Sequence, residues 1–172
     1  MMKRLRILTM AGLGSAALML AVVPAAAHGP NSSHKSTVLV TGRGSLLATT
    51  PGITTGATSR ANFALVVRQV GTGPVRGHTE FQIHTGLKHL TFSSTSESNL
   101  VVTGCTVTYG GTGRMGRARG FTFSATAVDA KVSGCTATKD EFAITITPPV
   151  GSARAVYTLA LIALSRGSIT LR

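Results

Sequence analysis

The chain has 172 residues, with 17 Lys and Arg against 5 Asp and Glu, and it is 43% hydrophobic but only 13% charged. That is enough chain for one domain with its own apolar core, and too apolar a chain for a disordered polyelectrolyte. Five carboxylates in all leave little for a metal cage or an acid–base pair.

The first element is one to remove. Lys3, Arg4 and Arg6 make a positive start, residues 7–23 are apolar, Pro24 interrupts, and Ala25-Ala26-Ala27 has the small-residue pattern of a signal-peptidase site. The reading is a signal peptide over residues 1–27, cut before His28. A stretch of 17 residues is short for a membrane anchor, and the Pro and alanines favour removal. No Cys lies beside the site, which excludes lipid attachment there. An exported protein with no membrane span after cleavage is expected, secreted or held in the cell envelope. Removal takes three basic residues and no acid, so 14 basic residues face 5 acidic ones and the net charge falls from +12 to +9. Such a charge attracts polyanions.

Residues 28–36 are polar and read as a flexible arm, with a single domain over residues 37–172. Within it the periodicity is that of strands. Residues 37–40 start a β run that Gly42-Arg43-Gly44 is expected to halt, and residues 49–60, rich in Thr, Gly and Ser with Pro51, read as a loop. Phe63, Leu65 and Val67 alternate, then Phe81 and Ile83 oppose His78, Glu80, Gln82 and His84, and Leu90 and Phe92 follow a turn. Residues 101–109 read as one strand carrying Cys105, Val107 and Tyr109 on one face. Phe121, Phe123, Ala125 and Ala127 alternate with Thr122, Ser124 and Thr126, the period of two of a half-buried strand. Phe142, Ile144 and Ile146 repeat it before Pro148-Pro149. Residues 155–164 are apolar on both faces, a strand or a short buried helix, and a last strand points Ile169 and Leu171 inward. About nine or ten short strands at this spacing predict an all-β, antiparallel sandwich or barrel.

Both cysteines, Cys105 and Cys135, lie in the exported part. An even count in an oxidising compartment makes one Cys105–Cys135 disulfide the expected state, and two free thiols the alternative.

A set of motifs adds a resemblance. Val102-Thr103-Gly104, Tyr109-Gly110-Gly111-Thr112-Gly113, Gly120-Phe121-Thr122-Phe123 with Asp129, Asp140-Glu141-Phe142 and the closing Gly167-Ser168-Ile169-Thr170-Leu171 stand in order along the chain. Upstream lie Thr41-Gly42-Arg43-Gly44 and Ala61-Asn62-Phe63-Ala64-Leu65-Val66. Over residues 38–172 this resembles a small secreted bacterial all-β module, found alone after a signal peptide or appended to larger extracellular proteins. The resemblance implies an all-β fold, an uncharacterised role and no catalytic residues to carry over. The chain departs from the module between Asp129 and Asp140, where a longer loop carries Cys135. The disulfide then reads as a staple for that loop.

Candidate chemistry is sparse. Residues 111–116 spell G-x-G-x-x-G, but a strand follows, not the helix that a dinucleotide site needs. Arg114, Arg117 and Arg119 cluster on the same hairpin, where guanidinium forks suit phosphate or sulfate. No aromatic residue is interleaved with them for base stacking. His78, Glu80, His84 and His89 suggest zinc, yet His78 and His84 are too far apart along an extended strand to share one ion, leaving only His84 and His89 across a turn. Asp129 and Asp140 supply too few oxygens for calcium and read as caps of turn amides. Gly42-Arg43-Gly44-Ser45-Leu46 is no nucleophile elbow, and the absence of Trp removes the usual sugar-stacking platform. The expectation is a non-catalytic, cofactor-free exported module whose alternative role is to bind a polyanion, a cell-wall polymer, sulfated glycan or extracellular nucleic acid, through Arg114, Arg117 and Arg119.

Overall fold

A computed structural model of the protein describes residues 35–49, 58–85, 88–154 and 156–172. The segment expected to be a signal peptide and the expected arm up to residue 34 lie outside them. Nine strands follow one another: β1 (Thr37–Thr49), β2 (Thr58–Val70), β3 (Arg76–Thr85), β4 (Lys88–Thr103), β5 (Thr106–Met115), β6 (Ala118–Val128), β7 (Glu141–Thr147), β8 (Tyr157–Ala163) and β9 (Arg166–Leu171). There is no helix among the described residues, so the apolar stretch before residue 164 is a strand.

All pairings are antiparallel, and the order across the sheet is β8-β7-β6-β5-β4-β3-β2-β1-β9. A single sheet excludes the sandwich. The strands at its two ends, β8 and β9, are consecutive in the chain, linked by Leu164 and Ser165 alone, and run in the same direction. They act as one long strand whose first half pairs with β7 and whose second half pairs with β1. The sheet therefore curls round until its ends meet in a barrel-like wall. Ser165 N–H donates to the Ser45 carbonyl at 2.9 Å and Leu164 N–H to the Asp140 carbonyl at 2.8 Å, which fixes the crossover.

The inward residues fill the enclosure. Phe63 of β2 stacks on Phe142 of β7 with centroids 4.2 Å apart, and Phe81 of β3 meets Tyr157 of β8 at 5.4 Å. Strands far apart in the sheet order touch through these rings, as a curled sheet demands. Phe81, Phe92, Phe121 and Phe142 are fully buried, so the interior is a packed core.

Several sequence expectations change. Gly42 and Gly44 do not halt the first strand; β1 runs through both. They are small because β9 crosses there: a Cβ on Gly44 would stand 2.6 Å from the Arg166 carbonyl oxygen. The expected strand over residues 101–109 is two strands, since Gly104, at φ 58, and Cys105 form the β4–β5 turn. Cys105 is thus a turn residue, and its bond to Cys135 ties the residue 129–140 connection to a hairpin end. Residues 93–99 are polar without alternation, yet β4 passes through them with two bulges.

Asp129 and Asp140 hold the closure. Asp140 accepts Ala130 N–H on Oδ1 and Ile169 N–H on Oδ2, at 2.9 and 2.7 Å. Asp129 accepts Lys131 N–H and Leu171 N–H, both at 2.9 Å. On the side of β9 away from β1, carboxylate oxygens take the place of a neighbouring strand's carbonyls. The expected capping of a turn amide is present at Lys131, and the bonds to β9 are an addition to it.

Candidate functional site

Arg114 and Arg119 stand opposite each other near the tip of the β5–β6 hairpin, and Arg117 lies in its turn beside Gly116, at φ 60. Met115 and Ala118, also opposite each other, pack against the core, leaving the three guanidinium groups exposed. A register shift between Gly113 and Arg114 twists the tip. The G-x-G-x-x-G spelling falls on strand and turn, as its flanking pattern predicts.

The structure adds a fourth arginine. The β7–β8 connection folds against this hairpin close to its tip, with the Arg154 guanidinium 5.9 Å from the centroid of Phe121. Nothing in sequence spacing links Arg154 to Arg119; only the fold brings β6 and this connection together. The antiparallel meander puts the β3–β4, β5–β6 and β7–β8 connections at one end of the sheet. Arg60, His84 and His89 are in register with one another near that end, all exposed. The carboxylates lie elsewhere: Asp129, Asp140 and Glu141 at the opposite end, Glu97 inside and Glu80 along β3. The only ion pair among the described residues is His78–Glu80 at 3.2 Å. The arginine rim therefore has cations without acidic partners.

The candidate metal ligands do not assemble. His84 and His89 meet with their Nδ1 atoms 2.6 Å apart, one ring nitrogen donating to the other. Among the described residues no group of three or more His, Cys, Asp or Glu is placed to hold a metal ion. The oxygens of Asp129 and Asp140 are taken by backbone N–H groups.

A second polar cluster escaped sequence reading. Thr79, Ser94, Glu97 and Tyr109 are buried where β3 and β4 part. Ser94 Oγ donates to Glu97 Oε1 at 2.5 Å and accepts Thr79 N–H at 2.8 Å. Thr79 Oγ1 and the Tyr109 hydroxyl are 3.1 Å apart. Burial pushes the Tyr109 hydroxyl well above its ordinary pKa; the Thr79 hydrogen bond opposes this and the Glu97 charge adds to it. The signal available in sequence was one acid, Glu97, in a run of Ser and Thr, which reads equally as a solvated strand.

No family model, curated protein or solved structure matches the chain.

Proposed function

We propose that this is an exported, non-catalytic β module that binds an extracellular or cell-wall polyanion at its arginine rim. The observation that carries the reading is the exposed group of Arg114, Arg117, Arg119 and Arg154 with no carboxylate in ion-pair range among the described residues. Guanidinium groups bind phosphate and sulfate through paired hydrogen bonds, and several on one rim suit a repeating anion. All six phenylalanines and Tyr109 are buried, so stacking of nucleic-acid bases lacks a platform. That favours a wall phosphate polymer or a sulfated glycan. The disulfide fits an oxidising compartment, and no helix among the described residues is long and apolar enough to cross a membrane.

Retention of the purified protein on heparin and on isolated wall polymer, across a salt series, tests the reading. Retention is expected to fall steeply with salt and to be lost when Arg114, Arg117 and Arg119 are replaced by Ser. A control with Lys131→Ser and Lys139→Ser, at the opposite end, retains binding. Unchanged retention in the triple variant overturns the proposal.

A further inference from the structure

β3 and β4 are bonded to each other only from Glu80↔Ser93 to Thr85↔Lys88. Arg76, Gly77, His78 and Thr79 pair with β2 alone, and β4 from Ser94 onward pairs with β5 alone. Bulges between Ser94 and Ser96 and between Ser98 and Val101 bend β4 away. The wall thus parts, and Thr79 N–H, lacking a β4 carbonyl, donates to the Ser94 hydroxyl oxygen instead.

Glu97 is turned into this break and is only 8% exposed. Its Oε1 takes the Ser94 hydroxyl, while Oε2 takes no hydrogen bond from the described residues. No Lys or Arg among them reaches it. A carboxylate this deeply buried is costly without a cation. Around it stand further oxygens: Ser94 Oγ, then Thr79 Oγ1 with the Tyr109 hydroxyl at 3.1 Å. At the outer edge His78, half exposed, places Nδ1 3.4 Å from Ser94 Oγ and Nε2 3.2 Å from Glu80 Oε1.

We propose that the break between β3 and β4 is a binding slot for a primary alkylammonium group, with Glu97 as its counter-charge and Ser94, Thr79 and Tyr109 as oxygen acceptors. An ammonium group brings three rotatable donors on a compact charge, which suits a carboxylate in a cluster of hydroxyl oxygens carried by three different strands. A guanidinium wants both oxygens of one carboxylate side by side, and Ser94 already occupies one of them. A divalent cation wants more carboxylate or imidazole ligands than the slot assembles. The ammonium group comes either from a lysyl side chain of an extended polypeptide or from a free alkylamine; the chemistry recognised is the same.

The test is an NMR titration of the isotope-labelled protein with n-butylammonium chloride, with a blocked Thr-Val-Lys-Val-Thr peptide, and with the same peptide carrying norleucine for Lys, all at matched ionic strength. Saturable shifts at Thr79, Ser94 and Glu97 are expected with the first two and not with the third. Tighter binding of the peptide identifies a polypeptide source, and tighter binding of butylammonium a free amine; either supports the slot. Glu97→Gln is expected to weaken binding on the order of tenfold, the scale of one charge-assisted hydrogen bond, and Tyr109→Phe to weaken it less. The triple arginine variant leaves butylammonium binding unchanged. Absence of saturable shifts at these residues in the wild-type protein, or equal affinity in Glu97→Gln, overturns the proposal, and the wild-type titration needs no variant to fold.

Discussion

Asp140 joins two distant parts of the chain with one carboxylate, since Oδ1 receives the N–H of Ala130 and Oδ2 that of Ile169 in β9. Asp140→Ala leaves the buried Ile169 N–H and the part-buried Ala130 N–H without acceptors, at a cost of about 1–3 kcal/mol for the buried one and less for the other. The variant is expected to unfold at distinctly lower urea concentration, with Asp140→Asn falling between it and wild type because one carbonyl acceptor remains. Tyr157 offers a second check. Burial pushes its hydroxyl up to about 12 from the ordinary 10.0. The folded state therefore holds the phenol proton more tightly than the unfolded chain does. Stability carried by this group is fully present below the unfolded value and is lost as pH rises through the folded one. Alkaline titration followed by phenolate absorbance should show no tyrosine ionising near 10 while the fold persists. Unfolding midpoints should decline across that same interval.

At the scale of elements, the hairpins carry the charge and the crosslink carries the long connection. The Cys105–Cys135 bridge encloses a sequence separation of 30 residues, and in the chain-entropy picture a loop of that size contributes ~3–4 kcal/mol by restricting the unfolded chain. Replacing both cysteines by Ser is expected to lower the unfolding free energy by about that amount. The circular dichroism spectrum should stay that of a β protein, because residues 129–140 are also tied by Asp129 and Asp140. Loss of β structure in the double variant would show that the bridge is required for the fold itself. Arg154 gives an element-scale test of the rim. It reaches the β5–β6 hairpin only through the packing of a neighbouring connection over Phe121. Arg154→Ser should shift heparin elution to lower salt, by less than the triple hairpin variant does. An unchanged elution would confine binding to the hairpin.

At the scale of the whole molecule, the fold depends on closing one long sheet. The crossing of β9 over β1 is tightest where Gly44 and Gly167 face each other. Gly167 has φ 103 there, and a Cβ on it would run into the Arg43 carbonyl oxygen. Gly167→Val is therefore strained in backbone and blocked in space, and is expected to release β9, seen as rapid amide exchange at Ile169 and Leu171. Across the interior, Phe142 touches rings from both Phe63 and Phe81. Phe142→Ala should cost about 3–5 kcal/mol, measured by denaturant unfolding, because side chains from opposite walls lose a common partner.

How much of this could be read in advance differs from strand to strand. β6 and β7 were legible, because Phe121, Phe123, Phe142, Ile144 and Ile146 alternate with short polar residues and each such strand buries one face. β4 was not, since its bulges break the period of two just where Ser94 and Glu97 turn inward. The arginine hairpin was visible because its members are neighbours in the chain, whereas Arg154 was not. Sequence by itself determined the strand-rich class, the pairing of two cysteines and the local charge of one hairpin, since these follow from periodicity, count and adjacency. Only the tertiary structure decided that the sheet is single and curled, that Asp129 and Asp140 complete the edge of β9, and that Glu97 is buried with no Lys or Arg of the described residues in reach. Those outcomes depend on which strands meet after a long chain has curled, and no local spacing encodes that.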